Sequence, residues 1–145
     1  MSLQELATKF TEVKSKMMAE GQEALKTEFQ KVFEAYPKIT VIKWNQYTPY
    51  FNDGDTCEFG VGSFVISNAL NAEEVSSYGE YEGETEGEWA EELWGDTAKE
   101  YPLIRDLENF CNTGIGKEIL LMTFEDHSIV TATCEGFDIE EYEHE

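Results

Sequence analysis

Five glutamates occupy every second position of residues 80–88, and this row is the most distinctive arrangement of chemically active side chains in the sequence. In an extended strand, alternate side chains point to the same side and lie about 6.6 Å apart. Carboxylates presented in this way can pair with lysine and arginine side chains. We therefore predict a partner-binding surface of carboxylates with two tryptophans as apolar anchors: Glu80, Glu82, Glu84, Glu86, Glu88, Trp89, Glu91, Glu92 and Trp94.

The acidic segment 71–96 has a second interpretation. Gly83 and Gly87 lie between the glutamates, and glycine weakens a strand, so the segment can equally be a solvated acidic loop or insertion. A short helical turn is predicted over residues 88–94, ended by Gly95.

A second candidate surface surrounds the predicted turn after the first strand. Aromatic side chains stand there beside carboxylates, a combination that binds cationic groups by stacking and pairing. A structural role is the alternative, with the aromatic rings covering the end of the sheet and Pro49 making the turn rigid. A small-ligand site at the Trp44 and Tyr47 hairpin is a third reading. The residues concerned are Trp44, Tyr47, Tyr50, Phe51, Asp53, Asp55 and Glu58.

Few side chains suit a metal ion or a nucleophilic site. A zinc site needs three or four Cys or His residues at suitable spacing, whereas His127 and His144 have no cysteine near them in sequence. Cys57, Cys111 and Cys134 show no CxxC spacing and are interpreted as small apolar core residues of a reducing compartment. We predict no metal, no cofactor and no catalytic residue, and hence a protein that is not an enzyme.

Charge is divided unevenly along the chain, whose net charge is −21. Residues 1–43 carry seven lysines against six glutamates, a net charge of +1, whereas residues 44–145 carry 25 acidic against three basic residues, a net charge of −22. Such a field repels nucleic acid and anionic membranes and attracts basic proteins. We expect a basic protein partner, no direct contact with nucleic acid and no membrane association.

The elements that must position these residues begin with a helix. Apolar side chains at steps of three and four predict a helix over residues 3–36, with Ser2 as its N-cap and Pro37 as its stop. Gly21 separates two apolar runs of different phase, which predicts a break or bend there. The helix either packs on the chain's own sheet or protrudes and pairs with a second copy.

Two predicted hairpins flank a second helix. The elements are strands over 40–44 and 57–68, a helix from Pro102 to a stop at Gly114, and strands over 119–124 and 129–139 joined by a turn that carries His127. We predict one α+β domain over residues 1–145: an antiparallel sheet of about four strands, with two main helices packed on one face. We predict that residues 140–145 form an acidic, exposed tail.

Two stretches carry a resemblance to a known family. The run Trp44–Phe59, WNQYTPYFNDGDTCEF, and the run Gly136–Tyr142, GFDIEEY, resemble a family of small acidic proteins encoded by tailed bacteriophages. The resemblance covers the first predicted hairpin and the last predicted strand. It implies a phage origin and a location in the host cytoplasm, in keeping with the absence of a signal-peptide pattern. It implies no catalytic residue.

These observations lead to one functional hypothesis and two alternatives. The hypothesis is a non-enzymatic phage protein that binds a basic host or phage protein and acts as a nucleic-acid mimic or inhibitor. The first alternative is a dimeric assembly or scaffold protein that pairs through the N-terminal helix. The second is a small-ligand binder at the aromatic hairpin.

Overall fold

The structure, a computed structural model, describes residues 2–49 and 57–142. Helices and an antiparallel sheet confirm the predicted α+β class, but the described residues form four helices and six strands, more than predicted. The helices are α1 (Leu3–Ala35), α2 (Gly95–Glu100), α3 (Pro102–Cys111) and α4 (Gly114–Phe124). The strands are β1 (Val41–Tyr47), β2 (Gly60–Val61), β3 (Val65–Ser67), β4 (Ala90–Glu92), β5 (Ser128–Thr133) and β6 (Gly136–Glu141).

The strands form a single sheet in the order β4-β3-β1-β5-β6, with β2 also paired to β1. All pairs are antiparallel. The register against β1 shifts by one residue between β2 and β3, which marks a bulge. The single strand predicted over 57–68 is therefore two short strands. The N–H of Gly62 donates to the carbonyl of Asn45 at 2.8 Å within this bulge. A Cβ at Gly62 would overlap the side-chain Oδ1 of Asn45 and lie 3.1 Å from the Asn45 carbonyl oxygen, so a larger residue there requires the Asn45 side chain to move.

The main core lies between the helices and one face of the sheet. Trp44 of β1 is fully buried there, and its ring stacks on Phe29 of α1 and Phe64, with centroids 5.5 Å and 4.8 Å away. Helices α3 and α4 contribute Ile104, Leu107, Cys111, Leu120 and Phe124 to the same cluster.

A smaller core covers the opposite face of the sheet. Val41 of β1 and Val65 of β3 pack there against Val75, which comes from the acidic segment. Lys43 is buried on this face, and its Nζ donates to the carbonyl of Val75 at 2.9 Å. The acidic segment is therefore part of the folded body, because its first residues cover the sheet.

Helix α1 is continuous through Gly21, so of the predicted break or bend, the break is wrong. A Cβ at Gly21 would lie 3.4 Å from Ile119 Cγ2, which shows that this glycine sits where α4 approaches α1. The predicted N-cap is confirmed, since the Ser2 hydroxyl accepts from the N–H of Glu5 at 3.1 Å.

Residues 119–124 belong to α4, so the strand predicted for them is wrong. Thr113 caps this helix by accepting from the N–H of Gly116 at 3.1 Å. An apolar run covered on two sides has the same composition in a buried strand and in a buried helix, and periodicity does not separate them. The predicted strand over 129–139 is the β5–β6 hairpin, and His127 lies between α4 and β5 instead of at a hairpin tip.

Candidate functional site

The row of alternating glutamates lies in a loop that begins after the bridge residue Val75 and runs up to β4. This agrees with the predicted acidic loop and not with the alternative of an extended row. Gly79 and Gly87 adopt φ values of +94° and +89°, which turn the chain in a way that few other residues tolerate. The helical turn predicted over 88–94 is also wrong: Ala90–Glu92 form the edge strand β4, and Gly95 begins α2 instead of ending a helix.

Hydrogen bonds from the sheet hold the end of this loop in place. Asn68 acts as a clamp, because its Nδ2 donates to the carbonyl of Gly87 at 3.0 Å and its Oδ1 accepts from the N–H of Trp89 at 2.8 Å. The Ser67 hydroxyl donates to the carbonyl of Trp89 at 2.6 Å. The last turn of the loop is therefore fixed to the end of β3.

A second set of hydrogen bonds holds the beginning of the loop. The chain folds back on itself where Val75 and Tyr81 form an isolated bridge. The hydroxyl of Tyr81 donates to Glu74 Oε2 at 3.1 Å and accepts from the N–H of Thr85 at 3.0 Å. Both ends of the acidic loop thus rest on defined polar contacts, with Val75 buried beneath them.

The structure divides the predicted partner-binding residues into two groups. Glu88 is half-buried and accepts from the N–H of Leu70 at 3.3 Å, while Trp89 packs against the main core. These two residues anchor the loop. The others are exposed to solvent, with Trp94 72% exposed: Glu80, Glu82, Glu84, Glu86, Glu91, Glu92 and Trp94.

The exposed carboxylates of this group have no cationic neighbour in the described part of the chain. The salt bridges among residues 2–49 and 57–142 join Lys31 to Glu28, Lys99 to Asp96, Arg105 to Asp106 and His127 to Asp126. Glutamates 80–92 take part in none of them. We refer to the six exposed glutamates of the loop and of β4, together with Trp94, as the acidic face. Within β4, the successive residues Glu91 and Glu92 point to opposite sides of the sheet.

The aromatic hairpin is only partly within the described residues. Trp44 is 0% exposed and donates from Nε1 to Gln46 Oε1 at 3.0 Å, so its ring is a core element and is closed to a ligand. Tyr47 packs on Tyr142 with centroids 5.2 Å apart. Glu58 is exposed. Four members of this second surface lie outside the described residues: Tyr50, Phe51, Asp53 and Asp55.

Gln46 is a buried polar residue that sequence reasoning missed. Its Nε2 donates to the carbonyls of Leu120 and Glu125 at 3.0 Å and 2.8 Å, while its Oε1 accepts from Trp44. It satisfies carbonyls at the end of α4, a point at which a helix leaves acceptors without intrahelical partners. A single glutamine among strand residues carries no signal of this role, because both acceptors are more than 70 residues away.

Asp126 ties the start of β5 to the end of β1. Its carboxylate accepts from the N–H and the hydroxyl of Thr48 at 2.8 Å and 2.7 Å, and from the N–H of His127 at 2.9 Å. Burial favours a higher pKa for Asp126, but these hydrogen bonds outweigh it and lower the pKa below its usual value. Because the carboxylate binds Thr48 at the end of β1 and His127 just before β5, the cluster fixes the connection between two strands.

The three cysteines differ in their surroundings. Cys111 is a core residue, as predicted, and burial raises the pKa of its thiol to about 12. Cys57 is half-buried, and Cys134 is exposed, so the prediction of a buried residue is wrong for Cys134. Within residues 2–49 and 57–142, no group of three or more His, Cys, Asp and Glu side chains is arranged to hold a metal ion.

Comparison with known proteins does not assign this chain to a family. No family model, no curated protein and no solved structure matches this chain. The resemblance to small phage proteins therefore stays a prediction. No helix of the described residues is both long enough and apolar enough to cross a membrane.

Proposed function

We propose that this protein is a non-enzymatic binding protein whose acidic face engages a basic protein. The observation that carries the proposal is a set of exposed glutamates without cationic partners on a loop that is hydrogen-bonded at both ends. A fixed loop loses little conformational entropy when it binds, so ion pairs with a partner are formed at lower cost than from a flexible acidic tail.

Trp94 supports a protein partner over a simple counter-ion. It is a large aromatic residue that is 72% exposed and lies two positions after Glu92. Exposed tryptophans beside charged groups are typical of the residues that dominate binding energy in protein interfaces. Arginine side chains can stack on the indole ring while they pair with the neighbouring carboxylates.

A nucleic-acid-binding protein is the partner class that we favour. Such proteins carry rows of lysine and arginine that bind phosphates, and most of their affinity comes from these contacts. The acidic face offers carboxylates to the same side chains, so the protein would act as a competitor of nucleic acid. A phage origin, with action on a host or phage protein in the host cytoplasm, is the setting that the sequence resemblance implies.

Calorimetric titration of a lysine- and arginine-rich peptide into the protein tests the proposal. The test variant changes Glu80, Glu82, Glu84 and Glu86 to Gln, and the matched control changes Glu135, Asp138, Glu140 and Glu141, on the opposite edge of the sheet, to the corresponding amides. Both variants lose four negative charges.

We expect the test variant to bind about tenfold more weakly than the control, and wild-type binding to weaken steeply between about 50 and 300 mM salt. Equal losses in the two variants would mean that net charge alone attracts the peptide, and the acidic face would then have no specific role. Binding that is insensitive to salt would also contradict the proposal.

A further inference from the structure

The first half of α1 carries an apolar stripe that residues 2–49 and 57–142 leave largely exposed. Every described residue from Ser2 to Met17 is exposed, whereas burial in α1 begins at Leu25. The stripe repeats at steps of three and four, the spacing by which helices pair side by side. Its members and exposed fractions are Leu3 85%, Leu6 53%, Phe10 67%, Val13 50% and Met17 65%.

A groove of about 350 Å³ runs beside this stripe, between α1 and α4. Its apolar lining comes from Phe10, Val13 and Met17 of α1 and from Ile115, Ile119 and Met122 of α4. Ile115 is itself 70% exposed. The stripe and the groove thus form one apolar surface, which we call the α1–α4 surface.

A helix as short as residues 3–17 has little stability in water unless one of its faces is packed. The first half of α1 would therefore gain stability from any partner that buries the stripe. A partner with both an apolar ridge and an apolar groove would fit best, since it would cover the stripe and fill the groove together.

The distribution of charge along the chain bears on which partner the α1–α4 surface can bind. Residues 1–18 carry three lysines and two glutamates, a net charge of +1, whereas residues 19–145 carry seven basic and 29 acidic residues, a net charge of −22. A second copy of this chain is therefore repelled less at the first half of α1 than at the strongly acidic residues 44–145, which carry a net charge of −22. Lys14 and Glu118 both line the groove, so two copies related by a two-fold axis would offer each other one cation and one anion there.

We propose that the protein forms a two-fold dimer in which the exposed half of α1 of each copy packs on the α1–α4 surface of the other. This goes beyond the proposed binding of a basic protein and does not depend on it. The dimer separates the two highly acidic bodies and buries the exposed stripe. Added salt screens the repulsion between the bodies and so tightens pairing, which is opposite to its effect on binding of a basic partner.

Sedimentation equilibrium at several salt concentrations tests the dimer. Phe10→Asp puts a charge in the stripe, Ile115→Asp puts one in the groove, and Ser15→Asp adds the same charge to a polar position of the same helix half. We expect the first two to raise the dimer dissociation constant about 100-fold and Ser15→Asp to change it less than about threefold. Circular dichroism confirms that each variant is folded.

Two results would overturn the proposal. The first is a wild-type protein that stays monomeric at about 100 μM and about 300 mM salt, conditions that favour apolar association. The second is a dimer that Phe10→Asp and Ile115→Asp affect no more than Ser15→Asp does. A monomer that binds an apolar dye, with binding lost in Ile115→Asp, would assign the groove to another apolar ligand. Failure of peptide binding at the acidic face would leave this test unchanged.

Discussion

The two halves of α1 have a similar spacing of apolar residues and opposite surroundings. Both repeat apolar residues at steps of three and four, but residues 2–17 are exposed, while Leu25, Phe29, Val32 and Phe33 are buried against the sheet and its helices. The two halves meet at Gly21, which lies beside Ile119 of α4. An apolar stripe therefore marks a face that packs, but whether it packs within the chain or on a partner depends on what the fold places beside it.

Helices α3 and α4 pack beside the buried second half of α1. Disruption of the contact between α3 and α4 should lower the free energy of unfolding more than any other change proposed below. A Cβ at Gly116 would overlap the backbone carbonyl of Phe110 and lie 2.8 Å from Cys111 Cα, so Gly116→Ala must push α4 away from α3. We expect a loss of at least about 4 kcal/mol in the free energy of unfolding. Urea unfolding followed by circular dichroism measures it.

Gly114 is the matched control, because a Cβ there meets nothing within 4 Å. Gly114→Ala lies at the first position of the same helix and should be neutral or stabilise the protein by about 0.5 kcal/mol. Equal destabilisation by the two variants would show that α4 needs flexibility at its start instead of close contact with α3.

Truncation of one phenylalanine in each half tests the comparison directly. Phe29 is 2% exposed and touches the rings of Trp44 and Phe137, whereas Phe10 is 67% exposed. At protein concentrations low enough to keep the chain monomeric, Phe29→Ala should lower the free energy of unfolding by about 3–5 kcal/mol. Phe10→Ala should lower it by less than about 0.5 kcal/mol.

The same pair should reverse its order when association is measured. Phe10→Ala is expected to weaken the proposed dimer, while a folded Phe29→Ala variant should pair like the wild type. A large loss of monomer stability in Phe10→Ala would mean that the first half of α1 packs on the chain's own body in solution, and the difference between the halves would disappear.

Local patterns were sufficient for the elements that depend on near neighbours. The N-cap at Ser2, the strand around Trp44 and the helix that begins at Pro102 all follow from residues within one or two turns of each other. Helix α4 could not be separated from a strand, because Ile119 faces α1 while Leu120 and Phe124 face the core, and this leaves no clear period in the apolar run.

The glycines of the candidate site predicted a loop, but the sequence did not show how the loop folds. Alternation of the glutamates favours a strand, but the positive φ angles of Gly79 and Gly87 and the burial of Val75 bend the segment into a loop. Alternation also gave no means to tell the anchoring Glu88 from its exposed neighbours. That distinction depends on the N–H of Leu70, 18 residues away, to which the glutamate is hydrogen-bonded.

Glu108 of α3 extends the comparison to carboxylates, because it is half-buried whereas the glutamates of the acidic face are exposed. Its Oε2 accepts from the N–H of Phe64 at 2.7 Å. Burial raises the pKa of Glu108, the charge of Glu92 adds to the increase, and the hydrogen bond from Phe64 opposes it. Since the folded chain binds this proton more tightly than the unfolded chain, the stabilisation is complete below the ordinary glutamate pKa and is lost as the pH rises through the raised value.

Glu108→Gln keeps a carbonyl acceptor for Phe64 and removes the charge, so it mimics the protonated side chain at every pH. We expect the variant to be more stable than the wild type at pH 7 by less than about 1 kcal/mol, and the difference to shrink as the pH falls towards 5. Urea unfolding across this range measures it, and because both proteins share the remaining acidic residues, the difference isolates position 108. A variant that is less stable than the wild type at pH 7 would mean that the hydrogen bond from Phe64 to the charged carboxylate outweighs the cost of burying that charge. The charge of Glu108 would then not destabilise the folded protein.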